Sequence, residues 1–220
     1  MESRGNIISF LDDDDLFTKD KLEYIFKNFS DNVAYIHNNS IAIDKNGNKI
    51  RYKINRIDVN MSCISIRKDI INDNISKIST CPDIFMYLSA IGKGKIVKTN
   101  KVLTYYRVHD KNISIPHTKA ETTNLLKNNL VEYKKFYNFF DGEARKIINA
   151  RITDLSISLY IRGENIEVKD VSKFLFNRYI PLLRRIKMVV AFKIYRFKFG
   201  RKLINKRFDA NLEHLNRIRK

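Results

Sequence analysis

The chain has 220 residues, with 42 Lys and Arg against 24 Asp and Glu, a formal net charge of +18. That length allows one sizeable core plus an appendage, and an apolar content of 44% is ordinary for a folded protein rather than a disordered one. The two cysteines, Cys63 and Cys81, lack metal-like spacing and read as reduced thiols of a cytosolic chain, and the polar N-terminus carries no secretion-signal pattern.

In chain order, the apolar run Ile7-Ile8-Ser9-Phe10-Leu11 reads as a buried strand and leads directly into Asp12-Asp13-Asp14-Asp15. Thr18 is the expected N-cap of a helix reaching about Phe29, with Leu22, Ile25, Phe26 and Phe29 on its apolar face. Residues 33–44 and 49–54 read as strands about the hairpin signal Asn46-Gly47, and 61–67 as a further strand. Residues 68–79 read as a short helix and a loop. Pro82 opens a helix that Gly92 and Gly94 stop, and 102–108 alternates as a strand. From about Thr118 the period becomes helical: Leu125, Leu126, Leu130, Tyr133, Phe136 and Tyr137, then 142–162, broken by Gly163. A tail over 168–220, interrupted by Pro181, is rich in aromatics, Ile, Lys and Arg.

Three groups of residues carry candidate chemistry. Four adjacent carboxylates repel one another unless a cation sits among them, and hard divalent cations prefer carboxylate oxygens. At the carboxyl end of a strand, such a cluster lies where open α/β sheets bind ligands. A solvated acidic loop is the plainer reading. Asp83, in the first turn of its helix, is held ionised by the helix dipole and suits a general base, or is simply an acid favoured at that position. His109, after the strand Tyr105-Tyr106-Arg107-Val108, offers neutral imidazole to a borderline cation, or serves a structural role. His37, His117 and His214 have no comparable context.

These residues together carry a resemblance. The segment 5–17, G-x-I-I-S-F-L-D-D-D-D-L-F, resembles the D-x-D segment of family-2 glycosyltransferases of the GT-A fold. Asp12 and Asp14 take the two D-x-D positions, Asp13 the variable one and Asp15 the trailing one. The segment P-D-I-F-M-Y-L resembles the family's E-D motif, with Pro82 in place of Glu and Asp83 as the acid. Tyr106-Arg107-Val108-His109, with Asn112 and Ser114, resembles Y-R-x-H-x-x-N-x-S. The resemblance implies an inverting, single-displacement transfer from a nucleotide-sugar donor to a glycan or lipid-linked acceptor. Asp12, Asp14, Asp15 and His109 would hold Mn²⁺ or Mg²⁺, Asp12, Asp13 and Arg107 would hold the donor, and Asp83 would act as base. It also implies an α/β fold: a GT-A-like, Rossmann-like mixed sheet over 1–116, truncated at its N-terminus by roughly 80 residues at about 30 per βαβ unit. Three explanations stay open: a split gene whose separate chain supplies the missing half, a misassigned start, or a truncated relative. A helical extension (117–165) and a basic amphipathic tail (166–220) follow.

The tail has no charge-free run near the roughly 18–20 apolar residues that spanning needs. Basic segments with aromatic anchors lie in the interface of anionic membranes, so the expected location is peripheral, on the cytoplasmic face of the cell membrane. An amphipathic helix packed on its own domain is the alternative for the tail. Competing readings for the whole chain are a catalytically dead remnant that binds membrane or a partner, and a basic nucleic-acid-binding protein. The latter is disfavoured because no recognition motif appears and the tail is more apolar than a nucleic-acid arm.

Overall fold

The computed structural model describes residues 3–50, 60–109, 112, 116, 118–168, 171–195 and 197–219. The chain divides into two units, 1–111 and 112–218. In chain order the first holds β1 (Ile7–Ser9), β2 (Leu16–Phe17), α1 (Lys21–Asn28), β3 (Val33–Ile43), β4 (Ile64–Arg67), α2 (Pro82–Ala90) and β5 (Lys95–Arg107). The strands form one mixed sheet in the order β1-β4-β3-β5-β2, with β3 and β5 parallel and the other neighbours antiparallel. The fold class is therefore α/β.

Successive side chains of a strand point to opposite faces, and β3 is covered on both. Tyr35 packs with Ile8, Ile64, Ile66 and Met86 of α2. Ile36 packs on the other face with Ile25 of α1. Val33 joins Ile36 rather than Tyr35 because the register shifts between Val33 and Tyr35. Gly94 sits where a Cβ would press on the Asn32 carbonyl at 2.8 Å, so only glycine lets β5 approach β3 there.

Several elements differ in detail from expectation. The cap of α1 is Asp20, and Thr18 instead donates its hydroxyl to Asp20 at 2.7 Å. The expected apolar face of α1 is turned: Leu22 and Phe26 are 61% and 80% exposed, while Lys21 and Ile25 are buried. The cause is polar, because Lys21 finds buried acceptors and Tyr24 donates to Thr99 at 3.1 Å. Residues 61–63 form a 3₁₀ turn capped by Asn60 before β4 begins, and 68–70 and 73–77 are 3₁₀ turns rather than a helix. β5 starts at Lys95, seven residues ahead of its legible apolar part, because main-chain pairing with β3 carries a segment whose side chains are mostly polar. The Asn46-Gly47 turn forms, with Asp44 accepting from the Asn46 and Asn48 amides at 2.8 Å each. Ile50 returns its N–H to the Ala42 carbonyl at 3.0 Å. The rest of the strand expected over 49–54 lies outside the described residues, as do Ser114 and His117.

The second unit is helical: α3 (Lys119–Phe139), α4 (Gly142–Tyr160), α5 (Val171–Leu175), α6 (Leu182–Tyr195) and α7 (Lys198–Arg219). Thr118 caps α3 by accepting from Glu121 N–H at 3.1 Å. The core between α4, α5 and α6 contains Ala150, Ile157, Ile161, Phe174, Ile180 and Val189. At its edge lies an ion pair: Arg184, with its side chain 37% exposed, grips Asp154 through one guanidinium edge, Nε to Oδ1 at 3.0 Å and Nη2 to Oδ2 at 2.7 Å, and the Asp154 side chain is 3% exposed. Among the described residues no helix is long and apolar enough to cross a membrane.

Removing one partner of a buried ion pair strands the other charge, whereas replacing both with apolar groups is nearly neutral. Arg184→Leu should cost about 3 kcal/mol of unfolding free energy, and Arg184→Leu/Asp154→Leu should recover most of it. Denaturant titration of the four members of this cycle is the check; additive losses would place the pair outside the core.

Candidate functional site

The acidic run occupies a demanding position. β1 lies at one edge of the sheet and β2 at the other, so residues 10–15 must carry the chain across its end. This is the end toward which β1, β3 and β5 run. Phe10 N–H still pairs with the Ile64 carbonyl at 3.2 Å, and Asp12 N–H donates to the Ser62 hydroxyl at 2.9 Å. Asp15 N–H then closes a turn on the Asp12 carbonyl at 3.2 Å.

Arg107, at the end of β5, holds the run from the other side. Its backbone N–H donates to Asp15 Oδ1 at 2.9 Å, and its Nε to the Asp14 carbonyl at 2.8 Å. Its Nη1 reaches the Asp44 and Lys45 carbonyls at 3.2 and 3.0 Å. Asn60 donates to the second Asp15 oxygen at 3.3 Å. Asp15 is thus buried with both oxygens engaged in bracing the turn, while Asp12 and Asp13 are exposed. Between these extremes, Asp14 Oδ2 lies 2.9 Å from His109 Nε2. This contact joins positions 95 apart in sequence, with both side chains roughly a quarter exposed.

Electrostatics follow from this placement. Burial holds the Asp15 carboxyl above its ordinary value, against the hydrogen bonds from Ser62, Arg107 N–H and Asn60. Asp12 is also raised, first by partial desolvation and then by the charges of Asp15 and Asp14. A cation at this end of the sheet would relieve both. The donors suit one: a carboxylate oxygen and an imidazole nitrogen converge, and Mn²⁺ accepts both types. Among the described residues no three carboxylate, imidazole or thiol groups gather as a full ligand set. Octahedral Mg²⁺-like ions commonly take one or two protein ligands and complete the shell with water and phosphate oxygens, so a two-donor contribution fits that mode.

Lys21 lies beneath the run, a residue no sequence pattern marked. Its Nζ donates to the Ser62 carbonyl and, at 3.2 Å, to Thr104 Oγ1, and sits 3.9 Å from the centre of the Phe17 ring. Burial lowers it to about 8, although Cys63 and Asp15 favour the charged form. Thr104 also donates to the Ser62 carbonyl at 2.8 Å and accepts from Asn38 at 3.0 Å. A lysine in the first turn of a helix ordinarily faces water, and the misleading Leu22/Phe26 stripe pointed inward in its stead.

Asp83 occupies the first turn of α2, preceded by Cys81 in the left-handed region at φ 57°. It accepts from Ile84 N–H at 2.8 Å. Its charge contributes, after burial, to raising the Tyr35 hydroxyl well above its ordinary range. The Tyr35 hydroxyl and His37 Nε2, on alternate residues of β3, are both buried without a hydrogen-bond partner among the described residues. The hydrogen bonds described above tie Asp12, Asp14, Asp15, Arg107 and His109 together; the contacts described for Asp83 are with its own helix turn and Tyr35. No protein-family model matches the chain, and no curated protein matches it in sequence.

His37 is pushed down to about 4, by burial first and then by Lys98 and Lys21. Its folded value lies below its unfolded one near 6.5, so the unfolded state takes up the proton first as pH falls. Stability should drop by about 3 kcal/mol between pH 6.5 and 4 from this residue. The raised Asp12 and Asp15 act with opposite sign, since the folded state protonates first. Comparing wild type with His37→Leu isolates the histidine: the pH-dependent loss across that window should shrink in the variant, and identical slopes in urea titrations at pH 7, 5.5 and 4.5 would contradict the burial of His37.

Proposed function

We propose that this chain carries the metal and acceptor side of a metal-dependent, inverting glycosyltransferase with a GT-A-like fold. The supporting observation is the Asp14–His109 contact at 2.9 Å, which brings the D-x-D-D run and the Y-R-x-H segment together at the carboxyl ends of β1, β3 and β5. Asp14 and His109 would hold Mn²⁺ or Mg²⁺, with Asp12 completing the protein's share. Asp15 and Arg107 would keep the run in place, and Asp12 and Asp13 would face the ribose and diphosphate of the donor. The cation, when bound, supplies neutralisation of the charge that develops on the nucleoside diphosphate.

In the proposed reaction an acceptor hydroxyl oxygen forms a bond to the anomeric carbon as the bond from that carbon to the diphosphate oxygen breaks. Asp83 receives the hydroxyl proton, and the electron pair leaves with the nucleoside diphosphate. The acceptor is a glycan or a lipid-linked sugar, and the protein works peripherally on the cytoplasmic face of the cell membrane.

Two measurements test this reading. Calorimetric titration with Mn²⁺ should show binding to wild type that weakens at least about tenfold in Asp14→Ala and in His109→Ala, in line with loss of one protein ligand. Equal affinity in all three proteins would remove this pair from any metal site. With Mn²⁺ and a panel of nucleoside-diphosphate sugars, Asp83→Asn should retain metal binding within about twofold yet lose nucleoside diphosphate release by a factor of about 10² or more. Release at the wild-type rate would reduce Asp83 to a helix-start acid.

A further inference from the structure

Helix α6 is apolar on the side that its own unit leaves uncovered. Leu182, Leu183, Ile186, Val190 and Ile194 are 36% to 64% exposed. At 3.6 residues per turn they fall within an arc of about 120°. The opposite side of the helix is already used. Met188, Val189, Ala191, Phe192 and Tyr195 belong to the core with α4 and α5. Arg184 is clamped on the buried Asp154, and Arg185 donates to the Leu175 carbonyl. The helix therefore cannot roll to hide its outer face. Gly200, in the first turn of α7, packs so closely on the end of α6 that a Cβ there would collide with the Ile194 carbonyl. Phe197 and Phe199, just before and within that turn, stand 70% and 78% exposed.

We infer that this outer face of α6, with Phe197 and Phe199, docks on an anionic lipid bilayer. Charge selects the occupant. Lys187 borders the apolar arc and Lys193 lies just inside its other edge, both exposed, and α6 contains no acidic residue. Between 171 and 220 there are fifteen Lys and Arg against Asp209 and Glu213, and Asp209 is already paired with Lys119 at 2.6 Å. A second copy would bring a chain of net charge +18 against another of the same sign. Nucleic acid would engage the cations but leave five aliphatic side chains and two phenylalanines in water. An anionic interface satisfies both sets: aliphatic and aromatic groups enter the acyl boundary while lysines stay at the headgroups. At 1.5 Å rise per residue, the fourteen residues of α6 lie along about 21 Å of surface without crossing it. The inference is independent of the transferase reading.

The full chain is tested by co-sedimentation with phosphatidylcholine vesicles with and without about one-third phosphatidylserine, across a salt series. Wild type should bind the anionic vesicles. Ile186→Gln/Val190→Gln should weaken that binding at least tenfold at every salt concentration, with thermal unfolding unchanged because both sites are exposed. Lys187→Gln/Lys193→Gln should weaken it about thirty-fold at low salt and much less at high salt. Leu22→Gln/Phe26→Gln, exposed in the other unit, serves as control and should bind as wild type. The chain contains no tryptophan. Val190→Trp therefore installs a sole indole, whose emission should shift to the blue and be quenched by brominated lipid on vesicle binding. Three results would each overturn the inference: equal vesicle binding by wild type and Ile186→Gln/Val190→Gln, an unshifted indole on bound protein, or a vesicle-free dimer or oligonucleotide complex that the same double substitution abolishes while wild type ignores vesicles.

Discussion

The bond from Arg107 N–H to the Asp15 carboxylate is the contact on which the first unit depends. The chain must pass from one edge of the sheet to the other through four consecutive aspartates, whose mutual repulsion opposes any ordered path. Asp15 turns inward and accepts from Arg107 N–H and Asn60; Arg107 then takes the carbonyls of Asp14, Asp44 and Lys45. Peptide dipoles and one guanidinium thus fix the turn through its main chain, while Asp14 faces His109 and Asp12 and Asp13 lie at the surface. The turn therefore takes its shape from the backbone and from segments far away in sequence, not from the four carboxylates themselves.

The same region accepts several local costs. Lys21 is buried, Cys81 lies at positive φ, and the Tyr35 hydroxyl, His37 Nε2 and Asn38 Oδ1 have no hydrogen-bond partner among the described residues. Each unpaired buried group costs about 1–3 kcal/mol. Tyr35, His37 and Asn38 all belong to β3, whose two apolar faces provide the burial that offsets them. Departures from local preference that cluster on one strand, beside a carboxylate turn, are the pattern of a sheet shaped for a task as well as for stability.

In the second unit the decisive constraint is the Arg184–Asp154 clamp. Without it, α6 would be an apolar helix free to present whichever side packed best. With it, one apolar side is committed to the core with α4 and α5 and the other to the outside. The basic residues around that outer side then become its chemical context rather than a generic coating.

Much of this architecture is written in local pattern. The apolar run before the aspartates, the stretch from Val33, the Asn46-Gly47 turn, the Pro82 helix with its glycine stops and the two long helices after Thr118 are all legible, because period, caps and turn residues act over a few neighbours. The main chain's own hydrogen bonding hid the rest. The start of β5 at Lys95 rests on pairing with β3, a partner about 60 residues away, and leaves little trace in its own side chains. The inward turn of Lys21 in place of Leu22 and Phe26 depends on the Ser62 carbonyl and the Thr104 hydroxyl, supplied by distant segments. Asp12 to Asp15 look equivalent in the sequence; their division into a buried brace, an imidazole-paired acid and two exposed acids was decided only when β5 delivered Arg107 and His109 to the same end of the sheet. Sequence alone determined which residues carry charge and where the Asn46-Gly47 turn and the helices opened by Pro82 and Thr118 begin, since those are local properties. Tertiary structure decided which charges are used and which faces are covered, because both depend on what a distant segment places opposite them.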